Sequence, residues 1–91
     1  MISLEQEKIE LENFRASCQT IINDKSMDVK KKTCQLVKLV NRYYPGMGEH
    51  LMSTIEMFLN RILGLTEEVP KILYTGPRRD YAVKIVSVFL M

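Results

Sequence analysis

Apolar residues recur at three- and four-residue intervals over most of this 91-residue chain, so helical periodicity is its dominant signal. Leu4, Leu11, Phe14, Cys18 and Ile21 fall on one stripe of a first helix expected over about 3–23. Ser3, followed three residues later by Gln6, has the form of a capping box at its start. The stretch "NDKS" (23–26) concentrates turn and capping residues and ends it. A second helix is expected over about 28–44, burying Val29, Thr33, Leu36, Val37, Val40 and Tyr44, with Leu39 and Tyr43 widening that face. In "YPGMG" (44–48), Pro45 biases Tyr44 away from helical geometry and the glycines permit a turn. Met47, Leu51, Met52, Ile55, Phe58, Leu59, Ile62 and Leu63 then define a third helix over about 48–63. Gly64 stands where a left-handed C-cap belongs.

Beyond Gly64 the pattern weakens. "LTEEVPKILYTGP" reads as a short helix or turn at 67–75 capped by Thr66, followed by a final helix at 80–90. An alternative pairs "KILYT" through "GPRRD" with "YAVKIVSVFL" as a C-terminal β-hairpin, which the β-branched residues of 83–88 favour. Three preceding helices already present faces that a fourth could cover. The expected fold is therefore all-α, a small antiparallel up-down bundle of four helices in a single domain spanning 1–91. Three helices followed by a β-hairpin is the competing fold.

The last eleven residues, 81–91, contain only Lys84 and Ser87 as polar positions. A single groove is expected to be unable to bury Val83, Val86 and Leu90 together with Ile85, Val88 and Phe89, leaving apolar surface for a second chain. If Asp80 caps the final helix, Arg78 and Arg79 stand at the positive end of its dipole, an arrangement that an anion or an acidic protein surface would relieve. Tyr81, Ile85, Val88, Phe89, Arg78 and Arg79 are accordingly the candidate partner-binding residues.

Charge adds a second picture. The net charge of +2 implies no acidic partner, but acids concentrate at Glu5, Glu7, Glu10 and Glu12, and bases at Lys25, Lys30, Lys31, Lys32, Lys38 and Arg42. That polarity predicts attraction between the first two helices. Its competitor is a nucleic-acid-associated regulator using Lys30, Lys31, Lys32 and Lys38 together with Arg78 and Arg79, since exposed cations neutralise phosphates. A helix-turn-helix over 33–63 does not fit, because its second helix would expose Glu49, Ser53, Glu56 and Asn60 with Arg61 as its only base.

Candidate chemistry is sparse. With 46% hydrophobic and 26% charged residues the composition is that of a folded chain. Cys18, Cys34 and His50 are the only soft ligands and are not closely spaced, so neither metal nor another cofactor is expected. A first turn near 25–27 would set Cys18 and Cys34 level with each other as small core residues. The N-terminus lacks the apolar core of a signal peptide, and the apolar run 81–91 falls short of the ~20 residues that span a bilayer, so a cytoplasmic protein is expected. No phosphate loop, dinucleotide fingerprint or nucleophile elbow occurs, and His50, Ser53 and Thr54 read as helix-surface residues. Six methionines, Met47, Met52, Met57 and Met91 among them, suit core filling or an adaptable binding surface. These features point to a non-enzymatic regulator or inhibitor that binds another protein through an apolar helical face, self-associating as a homodimer, without a small-molecule substrate. Size and architecture, though no motif, are those of small phage, plasmid and immunity proteins.

Overall fold

The computed structural model describes residues 4–89. Four helices carry the fold, α1 (Leu4–Ile22), α2 (Val29–Tyr43), α3 (Met52–Ile62) and α4 (Arg79–Val88), with no strand among the described residues. The expected all-α fold is thus found, and the β-hairpin is not. The Ser3 capping box, Leu90 and Met91 lie outside the described residues.

Local chemistry sets the breaks. Asp24 accepts both the hydroxyl and the N–H of Ser26, at 2.6 and 2.8 Å, and these bonds hold its carboxyl below the ordinary carboxylate range. Asp28 then caps α2, its Oδ1 accepting the Lys31 N–H at 2.8 Å. After α2 the Met47 N–H donates to the Tyr44 carbonyl at 3.0 Å across Pro45 and Gly46, and Gly46 adopts φ +84°. At the end of α3, Leu65 N–H reaches Asn60 O (2.8 Å) and Gly64 N–H reaches Arg61 O (3.1 Å), with Gly64 at φ +73°. This is the Schellman pairing that a glycine in this position makes possible.

α2 lies against both α1 and α3. Phe14, Leu36, Val40, Leu51, Ile55 and Ile85 are fully buried at the centre of the core. The face expected of α2 is buried or half-buried throughout. On α3, Met52 and Ile62 turn outward and Thr54 turns inward, reversing the expectation for all three. For Thr54 the reason lies in residues 66–75, which form no helix. Thr66 accepts the Glu68 N–H at 3.2 Å, but Pro70 forces Val69 out of helical geometry and removes a donor, so the turn does not propagate.

This segment then runs back along α3. Lys71 N–H meets Met57 Sδ (3.2 Å), Leu73 N–H meets Thr54 Oγ1 (3.4 Å), and the Tyr74 ring lies 5.3 Å from His50. Thr54 is buried because its hydroxyl receives this segment.

Two further expectations are corrected. Ala82, Ile85, Val86, Val88 and Phe89 are all buried, so one side of α4 together with its end enters the core, while Tyr81 and Val83 are left outside. Phe58 and Phe89 approach within 6.3 Å there. Cys18 is buried but Cys34 is exposed, and both thiols are free. Burial pushes the Cys18 thiol up to about 12.

Candidate functional site

An open groove of about 530 Å³ lies where α1, the end of α2, the 44–47 turn and α4 converge. Its floor is aromatic. Fully buried Phe14 supports Tyr43 at 5.2 Å and Tyr44 at 5.8 Å between ring centroids, and Tyr44 lies 6.0 Å from Tyr81. Leu11, Pro45 and Met47 fill the rest of the apolar wall. Tyrosine suits such a wall because its ring provides contact area while its hydroxyl stays hydrated or bonded. Partial burial pushes the Tyr44 phenol above its ordinary value.

Charge rims this floor. Lys84 donates to Glu7 Oε1 at 2.8 Å, joining α4 to α1, and that bond holds the ammonium above its ordinary value. This is the ion pair formed among the described residues, so the acidic first helix pairs with α4 instead of with basic α2. Glu10 and Arg78 complete the rim, and Arg78 Nη1 donates to the Pro45 carbonyl at 3.2 Å.

α4 begins at Arg79, one residue before the expected start, so Arg78 takes the cap position and Asp80 lies in the first turn. The Arg78 side chain makes no capping bond here, and the Arg78 N–H donates to the Tyr74 hydroxyl at 3.3 Å. The two arginines instead bind carbonyls, with Arg79 Nη1 on Tyr74 O at 3.0 Å.

Of the six candidate partner-binding residues, Arg78, Arg79 and Tyr81 are exposed, and Arg78 and Tyr81 meet in the groove. Ile85, Val88 and Phe89 are enclosed in the core, where they hold α4 in place and so position Arg78, Tyr81 and Lys84. The spacing of those three, at i, i+3 and i+6, keeps them near one face of the helix. Tyr43, Tyr44, Leu11 and Met47 are groove residues that periodicity assigned to the core alone. The adjacent aromatics at 43–44, on a face already marked as wide, were the available signal.

The four lysines do not form one surface. Lys30 and Lys31 are exposed, whereas Lys32 is only 6% exposed and donates to the Ile22 carbonyl at 2.7 Å. Lys32 therefore closes the C-terminus of α1, whose last turn holds no basic residue of its own. Lys38 lines a separate groove with Ser17, Thr20, Gln35 and Arg42. Among the described residues no three His, Cys, Asp or Glu side chains gather as metal ligands, and no helix is long and apolar enough to cross a membrane. The chain matches no protein-family model, no curated protein and no solved structure.

Proposed function

We propose that this chain is a non-enzymatic regulator or inhibitor that acts in the cytoplasm by binding another protein, and that it self-associates. The observation that carries the reading is the tyrosine groove, an aromatic floor with a mixed-charge rim. Protein interfaces are enriched in Tyr and Arg, which act as anchors when a partner excludes water around them. Tyr81, 49% exposed, stands beside Tyr44 with Arg78 nearby. A partner side chain laid across the two rings would gain apolar contact, and polar groups beside it would meet both signs of charge. Removal of Lys32 from the available cations weakens the competing nucleic-acid reading, leaving Lys30, Lys31 and Lys38 as exposed lysines of that set.

The test compares capture by three forms of the folded chain, namely wild type, Tyr81→Ser, and a form with Lys30, Lys31 and Lys38 changed to Gln. The proposal expects a protein retained by the wild type and by the lysine variant but lost with Tyr81→Ser. Salt-sensitive retention of DNA or RNA by the wild type, abolished in the lysine variant and unaffected by Tyr81→Ser, would refute it.

A further inference from the structure

α4 begins without a side-chain cap of its own. In a capping box, the side chain at the third helical position bonds back to the N–H of the cap residue. Here the cap is Arg78 and the third position is Tyr81. Tyr81 is committed elsewhere, since it lines the groove with its ring 6.0 Å from that of Tyr44. The Arg78 N–H is served instead from the preceding loop, by the Tyr74 hydroxyl at 3.3 Å.

Tyr74 is held firmly enough to do this. Its ring is half-buried against the core and lies 5.3 Å from that of His50. Its carbonyl accepts Arg79 Nη1 at 3.0 Å, so one residue engages both arginines at the start of α4. The ring folds over Gly76, where a methyl group would collide with the Tyr74 hydroxyl and ring. Arg78 in turn donates to the Pro45 carbonyl at 3.2 Å. Tyr74 through His50, and Arg78 through Pro45, tie the first turn of α4 to the stretch that carries Tyr44 and Met47. The other end of this face is tied by Lys84 to Glu7 at 2.8 Å. Tyr81 stands between the two ties, about one helical turn from each.

We infer that Tyr74, which does not line the groove, is its positioning residue. By bonding the Arg78 N–H it fixes where α4 begins, and with that the places of Arg78 and Tyr81. A glutamate or glutamine at position 81 would close the cap locally, but it would stand where the groove has an aromatic wall. With the cap bond supplied by Tyr74, position 81 is left to a ring. Without the Tyr74 hydroxyl the first turn opens more often, and only chains with that turn closed present Tyr81 to a partner. This assignment rests on the reading of the groove as a protein-binding surface.

Two variants of the full chain test it. Tyr74→Phe removes the hydroxyl and keeps the ring, whereas Gly76→Ala drives the ring from its place and leaves every groove residue unchanged. Amide exchange in the free chain is read at both ends of α4. Ala82 N–H donates to the Arg78 carbonyl as the first bond of the helix, and Phe89 N–H donates to the Val86 carbonyl at its far end, both at 3.1 Å. Tyr74→Phe should speed exchange at Ala82 about two- to tenfold, the factor for one net hydrogen bond, and leave Phe89 as in wild type. The nuclear Overhauser contact between the Tyr44 and Tyr81 rings should weaken with it. Affinity for the protein that the wild type retains should fall at least about twofold in Tyr74→Phe and further in Gly76→Ala, with helicity kept. Tyr74→Phe alone decides the matter if Gly76→Ala misfolds. Exchange unchanged at Ala82, or raised equally at Ala82 and Phe89, would overturn the positioning role. Faster exchange at Ala82 with affinity unchanged would overturn it too. A wild type that retains no protein, or retention unaffected by Tyr81→Ser, would instead overturn the groove reading, and this assignment with it.

Discussion

Replacing Lys32 with Met removes one ammonium group and keeps nearly all of the aliphatic stem. In the native fold that ammonium is buried and lies 2.7 Å from the Ile22 carbonyl, across the loop that joins α1 to α2. The end of α1 has no basic residue in its last turn, so Lys32 supplies from α2 what local sequence does not. A hydrogen bond from a charged donor contributes about 1.5–3 kcal/mol net, and a cation at a helix C-terminus about 0.3–1 kcal/mol more. Lys32→Met is therefore expected to lower stability by about 2–4 kcal/mol. With urea m-values of about 1–3 kcal/mol/M for small domains, the midpoint should fall by about 0.7–4 M with m unchanged. Lys30→Met and Lys31→Met change exposed side chains and should stay within about 0.5 kcal/mol of wild type. Urea titrations followed by circular dichroism measure all three. Equal midpoints for the Lys32 and Lys30 variants would refute the capping role and return Lys32 to the solvent-exposed cations.

The remaining predictions concern the core and its boundaries. Alkylation should modify exposed Cys34 rapidly and reach buried Cys18 only through opening of the fold. Because burial raises the Cys18 thiol from 9.0 to about 12, the folded state keeps a proton that the unfolded state releases. That contribution is whole below about pH 9 and is lost as pH rises towards 12, so Cys18→Ala should flatten the alkaline fall in stability. Gly48→Ala would place a Cβ 2.5 Å from the Val37 carbonyl and 2.7 Å from Asn41, so it should cost about 1–3 kcal/mol in thermal or urea unfolding. Ile85→Asp should unfold the chain by circular dichroism, whereas Val83→Asp, on the exposed side of α4, should leave it folded.

The helices were legible where one local signal dominated. Pro45-Gly46 after α2 and Gly64 beyond α3 each act through their own backbone neighbours, and each is found in its expected role. What could not be read depended on distant contacts. Thr54 is buried because residues nineteen positions away fold back onto it, and Lys32 because α1 ends beside it. The groove combines residues from 7 to 84, so no window of sequence contains it. Of the candidate residues there, Arg78 and Tyr81 were nominated for an exposed end and a bare apolar run, and both line it. Ile85, Val88 and Phe89 were nominated on the premise that one groove could not cover the whole segment. Val83 is left outside as that premise requires, but Ile85, Val88 and Phe89 lie on the side and at the end of α4 that enter the core.

Hydrogen exchange on the complex with whichever protein the wild type retains tests the central claim most directly. Backbone amides report burial without a substitution that could disturb the fold. Binding through the tyrosine groove predicts new protection in two stretches distant in sequence, 43–47 and 78–84, with the amides of 29–38 unchanged. New protection confined to 29–38, with both groove stretches exchanging as in the free chain, would contradict it.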